Sequence, residues 1–115
     1  MAGKSKASLC VHAGEEKMEF ANAVVPPVFN TSTYVFKNMQ ELRDYVKGDD
    51  SLYLYSRYTN PTVEACETKL AALEGGQKCL VTSSGQAAAS SAVFGILRKG
   101  DHLVATPTLY GGVFS

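Results

Sequence analysis

The chain has 115 residues, 45% of them hydrophobic, which is enough for one modest globular core and too little for two. Eleven Lys plus Arg offset eleven Asp plus Glu, so the formal charge is zero and no net field recruits nucleic acid or anionic lipid. No apolar run approaches the ~20 residues of a spanning helix, and the first eight residues lack the apolar stretch of a secretory signal, so a soluble, cytoplasmic protein is expected. Cys10, Cys66 and Cys79 are too widely and oddly spaced for a disulfide framework or a zinc cluster, and reduced, buried thiols are the expectation.

In chain order, residues 1–37 read as an extended arm. No helical period is sustained there, Pro26-Pro27 removes two backbone donors, and Val28 to Phe36 is rich in Thr, Tyr, Val and Phe, which suits at most one short strand. Apolar residues such as Val24, Val28 and Phe36 need burial, so the arm is expected to dock on another domain or subunit. Asn38 then reads as an N-cap, with Glu41 at the spacing from which a carboxylate reaches back to the capping backbone and Gly48 as the stop. Asp49 to Tyr58 is a polar turn running into aromatic residues. Asn60-Pro61 opens the next helix, Val63, Cys66, Leu70 and Leu73 give its face, and Gly75-Gly76 ends it. Next come Lys78–Thr82 as a strand, Gln86–Leu97 as a helix and His102–Thr106 as a second strand. That alternation predicts an α/β fold with a parallel sheet covered on both faces. The chain closes on Gly111-Gly112-Val113-Phe114-Ser115, with no finished terminal element.

Three places carry residue types suited to chemistry. Thr82-Ser83-Ser84-Gly85-Gln86 turns a strand end into a helix start, where unpaired N–H groups and the helix dipole favour an anion such as phosphate; ordinary turn and cap chemistry uses the same residues. Tyr55-Ser56-Arg57 offers a phenol and a guanidinium able to bind phosphate oxygens, or a surface Arg beside a packed Tyr. Tyr110, ahead of Gly111-Gly112 and past a predicted strand, lies where sheet enzymes place ligands and could stack on a flat cofactor, or simply cap a sheet edge. His12 and His102 have no partner set for a metal or a nucleophile relay, and no metal site is expected. The carboxylate pairs Glu15-Glu16 and Asp49-Asp50 are expected to face solvent.

Taken as a series, Tyr55-Ser56-Arg57, Thr59-Asn60-Pro61-Thr62, Ala72-Leu73-Glu74-Gly75, Ser84-Gly85-Gln86-Ala87-Ala88, Gly100-Asp101 and Leu109-Tyr110-Gly111-Gly112 closely resemble the N-terminal part of the cysteine and methionine metabolism (transsulfuration) family of pyridoxal-phosphate enzymes. Val11-His12-Ala13-Gly14 and Pro26 to Thr33 resemble that family's opening segment, so the likeness runs from about Leu9 to Phe114. The family includes cystathionine γ-synthase, cystathionine lyases, methionine γ-lyase and O-acetylhomoserine sulfhydrylase.

The resemblance implies an incomplete α/β fold. Residues 1–37 are the arm, and residues 38–115 start a type I (aspartate aminotransferase-like) large domain with a mainly parallel sheet. It implies pyridoxal 5'-phosphate as cofactor, with Gly85 and Gln86 holding the phosphate by backbone N–H groups, and Tyr55 and Arg57 reaching the phosphate of a neighbouring subunit. Tyr110 would stack on the pyridine ring and move protons as the catalytic residue. The implied reaction is β- or γ-elimination or γ-replacement on cystathionine, methionine or an acylated homoserine, in a homotetramer of paired dimers, with no nucleic-acid or membrane partner. No lysine of the chain matches the family's lysine motif, which holds the cofactor as an internal Schiff base. The expectation is therefore an N-terminal portion that is inactive alone. A non-enzymatic phosphate-binding module and a subunit-docking piece remain the alternatives. Gln86 is familiar from sulfhydrylases, whereas the arm is more like the cystathionine and methionine enzymes, so the substrate stays open.

Overall fold

A computed structural model describes residues 5–14 and 23–114. It contains helices α1 (Lys6–His12), α2 (Met39–Val46), α3 (Pro61–Glu74), α4 (Gly85–Ile96) and α5 (Gly111–Phe114). The residues fall into two compact units, one ending at Cys79 and the next beginning at Leu80. Of the residues expected to face solvent, Asp49 and Asp50 are exposed, while Glu15 and Glu16 lie outside the described residues.

In the first unit the caps define the helices. Asn38 Oδ1 accepts the amides of Gln40 and Glu41 at 2.9 and 3.0 Å, satisfying two of the donors that an α-helix leaves unpaired. Glu41 reaches one residue further back than the spacing predicts: its carboxylate accepts the Lys37 amide at 2.7 Å and pairs with the Lys37 ammonium at 3.5 Å. Asn60 caps α3, Pro61 occupies the first turn, and Gly75 ends the helix in the left-handed region at φ +70°.

The arm is not extended throughout. Ser5 accepts the Ser8 amide and starts α1, a seven-residue helix in which the short Lys-Ala-Ser-Leu run overrides the extended character of the rest of the arm. Helix α1 packs on α3, and Ala13 and Ala71 are the buried hydrophobic residues among those described. Gly14 makes the approach possible. It sits at φ +76°, and a β-carbon there would collide with the Ala65 carbonyl oxygen and stand 3.2 Å from the Lys69 amide nitrogen. Small residues at the helix contact also correct the cysteine expectation. The thiols are free, but Cys10 and Cys66 are exposed because alanine and glycine, not cysteine, fill the contact.

Further along, the arm runs beside the segment before α3. Thr33 and Tyr55 form an isolated antiparallel bridge, with the Tyr34 amide donating to Leu54 O at 3.1 Å and the Ser56 amide donating to Ser32 O at 2.9 Å.

The second unit departs from expectation in its sheet. Helix α4 forms, starting at Gly85, one residue earlier than predicted, with Ser84 Oγ accepting the Ala87 amide. The segments predicted as strands, Lys78–Thr82 and His102–Thr106, take up no ladder, and no parallel sheet forms among the described residues. A strand is defined by a ladder of hydrogen bonds with a neighbour, and neither segment forms one among the described residues. Their apolar side chains are accordingly open to solvent, with Leu80 70% and Val104 96% exposed. The last turn, α5, has no counterpart in the sequence expectation. Two glycines disfavour helix, yet the Val113 amide closes onto Tyr110 O at 2.8 Å.

Candidate functional site

The segment from Tyr55 to Tyr58 is a tight turn, closed by the Tyr58 and Thr59 amides, which both donate to Tyr55 O at 2.9 and 3.2 Å. The turn gathers two rings around one cation. The Arg57 guanidinium carbon lies 5.1 Å from the Tyr55 ring centroid and 5.7 Å from that of Tyr58, within cation–π range of both. The rings stand edge to face at 6.3 Å. Among the described residues no carboxylate pairs with Arg57, so a positive group is held in place by aromatic faces and its N–H donors stay available.

The loop is held from behind by a polar network. Asn60, 6% exposed, is the buried polar residue among those described. Its Nδ2 lies 3.0 Å from Phe29 O, 3.1 Å from Tyr34 Oη and 2.9 Å from Ser56 Oγ, while its Oδ1 accepts the Thr62 amide at 2.9 Å. Ser56 Oγ donates to Thr31 O, and Thr62 Oγ1 accepts the Phe29 amide at 2.9 Å. Nearby, the Tyr53 hydroxyl donates to Glu64 Oε2 at 2.6 Å and its ring packs on Tyr34 at 5.3 Å. Burial, followed by the hydrogen bond to the Glu64 carboxylate, pushes the Tyr53 phenol well above its ordinary value.

In the second unit, Gly85 and Gln86 are the first two residues of α4, both exposed. First-turn amides have no intrahelical acceptor, and Ser84 satisfies that of Ala87, which leaves Gly85 and Gln86 N–H available to an anion. A β-carbon at Gly85 would meet nothing within 4 Å, so an approaching group has room. Tyr110, 83% exposed, immediately precedes α5 with its ring folded over Gly112, where a β-carbon would stand 2.8 Å from a ring carbon. Helix α5 touches α4, so Tyr110 adjoins an element in contact with the helix that carries Gly85 and Gln86.

The structure thus brings Tyr55 together with Arg57 in the first unit, and sets Gly85, Gln86 and Tyr110 on contacting elements of the second. Sequence reasoning missed Tyr58, although its spacing from Tyr55 was visible. From the sequence Asn60 is a helix cap and one residue of the Thr59-Asn60-Pro61-Thr62 motif, and nothing local signals the arm atoms that its amide meets. An open groove of about 1080 Å³ in the first unit, lined by residues including Leu9, Tyr45, Leu52, Ala71 and Lys78, contains none of the predicted site residues. Among the described residues, no group of three or more His, Cys, Asp or Glu side chains could hold a metal ion, and no helix is long and apolar enough to cross a membrane.

Comparison with known proteins gives one consistent family. The family model described as Cys/Met metabolism PLP-dependent enzyme matches residues 7–115. A homocysteine/cysteine synthase of Kluyveromyces lactis is 43% identical over 109 residues, which are 94% of this chain and 24% of that protein. An L-methionine gamma-lyase of Treponema denticola is 38% identical, covering 95% of this chain and 27% of that one. Among solved structures, a cystathionine gamma lyase from Micromonospora echinospora superposes with TM-score 0.79 at 33% identity, over 97% of this chain and 27% of its own. A protein described as an O-acetylhomoserine (thiol)-lyase from Campylobacter jejuni, solved with N'-pyridoxyl-lysine-5'-monophosphate, gives 0.86 at 25% identity over 97% and 27%. The chain spans about a quarter of the length of these relatives. Their aminotransferase-like fold covers it, and it belongs to the Cys/Met metabolism family of pyridoxal-phosphate-dependent enzymes.

Proposed function

We propose that these 115 residues supply the cofactor-phosphate half of a transsulfuration active site and turn over no substrate by themselves. The residues present fit the cofactor's phosphate: a guanidinium without a carboxylate partner among the described residues, a neighbouring phenol, and a helix start whose first amides are open. The observation that carries the reading is Arg57, clasped by Tyr55 and Tyr58 inside a match that runs over residues 7–115.

In this reading the Arg57 fork and the Tyr55 hydroxyl donate charge-assisted hydrogen bonds to phosphate oxygens in a neighbouring subunit's site. The Gly85 and Gln86 amides hold the phosphate of the chain's own site, where the α4 dipole favours negative charge. Tyr110 would supply the ring that stacks on the cofactor's pyridine, and its hydroxyl would be the group able to take up a proton from, and return it to, the neighbouring substrate carbon. When bound, pyridoxal phosphate supplies an electron sink for the electrons left when the substrate loses its α-proton. The substrate class is a sulfur-linked or acylated amino acid such as cystathionine, methionine or O-acetylhomoserine, with elimination or replacement at the β or γ carbon. A cytoplasmic homotetramer is the assembly in which Tyr55 and Arg57 would serve a partner.

The test combines binding with turnover. The 115-residue chain is titrated with pyridoxal phosphate and assayed on the three substrates. Saturable binding without product supports the proposal. Product formation contradicts the claim that these residues are inactive alone, and absence of binding at millimolar ligand contradicts the phosphate site.

A further inference from the structure

We infer that Asn60 is a positioning residue for the Tyr55–Arg57 loop, its carboxamide clamping the arm to the loop so that docking of the arm sets the placement of the phosphate-binding guanidinium. The inference rests on the proposed role of Tyr55 and Arg57.

Capping alone does not account for Asn60. Ser, Thr or Asp caps a helix about as well as Asn, and the chain uses Ser5 and Ser84 for α1 and α4. Asn38, the other asparagine cap, is exposed, and its Oδ1 accepts two amides. Asn60 is buried and uses both ends of its amide. The Thr62 amide only donates and the Phe29 carbonyl only accepts, so Oδ1 must face the helix and Nδ2 must face the arm. Two N–H groups are shared among Phe29 O, Tyr34 Oη and Ser56 Oγ, the first two from the arm and the third from the residue between Tyr55 and Arg57. Ser56 is itself tied to the arm three times, by its amide to Ser32 O, its hydroxyl to Thr31 O and a 3.4 Å contact between its Oγ and Tyr34 Oη. With Ser56 fixed on both sides, the turn that places Arg57 between Tyr55 and Tyr58 has little freedom left. A cap that only accepts would leave the Phe29 carbonyl and Tyr34 hydroxyl without this donor, and the arm without its central tie to the loop.

The test uses Asn60→Ser and Asn60→Asp, which keep a capping oxygen and remove the Nδ2 amide that reaches the arm, with Tyr34→Phe as a milder variant that leaves the cap untouched. The first readout needs no cofactor: the NMR signals of the Arg57 side chain, shifted by the ring currents of Tyr55 and Tyr58. The second is affinity for pyridoxal phosphate against affinity for pyridoxal, which lacks the phosphate. We expect the Arg57 signals to move towards unshifted values in the Asn60 variants. Phosphate-ligand affinity should fall about 10-fold, and about 3-fold in Tyr34→Phe, with pyridoxal affinity unchanged, as the loss of one or two hydrogen bonds predicts. Unchanged Arg57 shifts and affinity, or equal losses for both ligands, overturn the inference; if the Asn60 variants do not fold, Tyr34→Phe decides on the same criteria. Arg57→Ala separates the two claims. If it weakens phosphate-ligand binding while the Asn60 and Tyr34 variants do not, the positioning role falls and the Arg57 phosphate contact stands; if it changes nothing, the proposed phosphate role of Arg57 itself falls, whatever the Gly85 and Gln86 amides bind.

Discussion

At the scale of single residues, Tyr53 and Gly14 make the sharpest predictions. Tyr53 donates to Glu64, so Tyr53→Phe should cost roughly 1 kcal/mol, read from denaturant midpoints at neutral pH. The raised phenol pKa fixes the sign of its pH dependence. The hydroxyl's contribution is complete below the unfolded value near 10 and is lost as pH climbs through the higher folded value, so wild type and Tyr53→Phe should converge in stability only in strong alkali. Gly14→Ala combines a left-handed backbone with a collision against α3. It should cost roughly 2–4 kcal/mol, against the smaller, purely conformational cost of Gly75→Ala, where a β-carbon meets nothing within 4 Å. Equal losses for the two substitutions would show that α1 does not press on α3 at Gly14.

Among the elements, what could be read from the sequence depends on the range of the interaction that makes each one. Helices α2, α3 and α4 were legible because their signals are local: Asn38 and Asn60 as caps, Pro61 at the helix start, Gly75 as a stop, and the Ser83-Ser84-Gly85 turn ahead of α4. Helix α1 was hidden because seven residues ahead of a proline- and valine-rich stretch give too little periodicity, and its partner α3 lies some fifty residues away. The two expected strands depend on the opposite kind of signal, since their alternation is local but the hydrogen bonds that would make a ladder are not, and no ladder forms among the described residues. The loop that carries Tyr55 and Arg57 was legible as a pair of residue types, whereas the network behind it joins residues 22 to 35 positions apart in sequence, beyond any motif. At this scale, Asn38→Ala should destabilise α2 by about 1 kcal/mol. Neutralising the solvent-exposed Lys37 in its pair with Glu41 should change stability by well under that, because exposed ion pairs are weak. A larger loss for Lys37→Ala than for Asn38→Ala, by chemical denaturation, would reverse that ranking.

Across the two units, buried hydrophobic residues are scarce among the described residues and apolar side chains face solvent in both: Val28 and Val35 in the arm, Phe94 and Ile96 on α4, Leu103 and Val104 beyond it. A chain with so little apolar burial has little to set against its conformational entropy. It should therefore melt over a broad range and bind a hydrophobic dye, and a sharp two-state transition of a monomer would contradict this. The tie through Asn60 makes the arm part of the scaffold behind Arg57. The phosphate ligand proposed for the partner site is Arg57, held by Tyr55 and Tyr58. The most direct measurement is the ³¹P NMR signal of pyridoxal phosphate titrated with the 115-residue chain and with Arg57→Ala. A saturable shift and broadening is expected with wild type, reduced at least about 10-fold in affinity for the variant, as loss of a charge-assisted contact requires. Identical ³¹P titrations for the two proteins would contradict it.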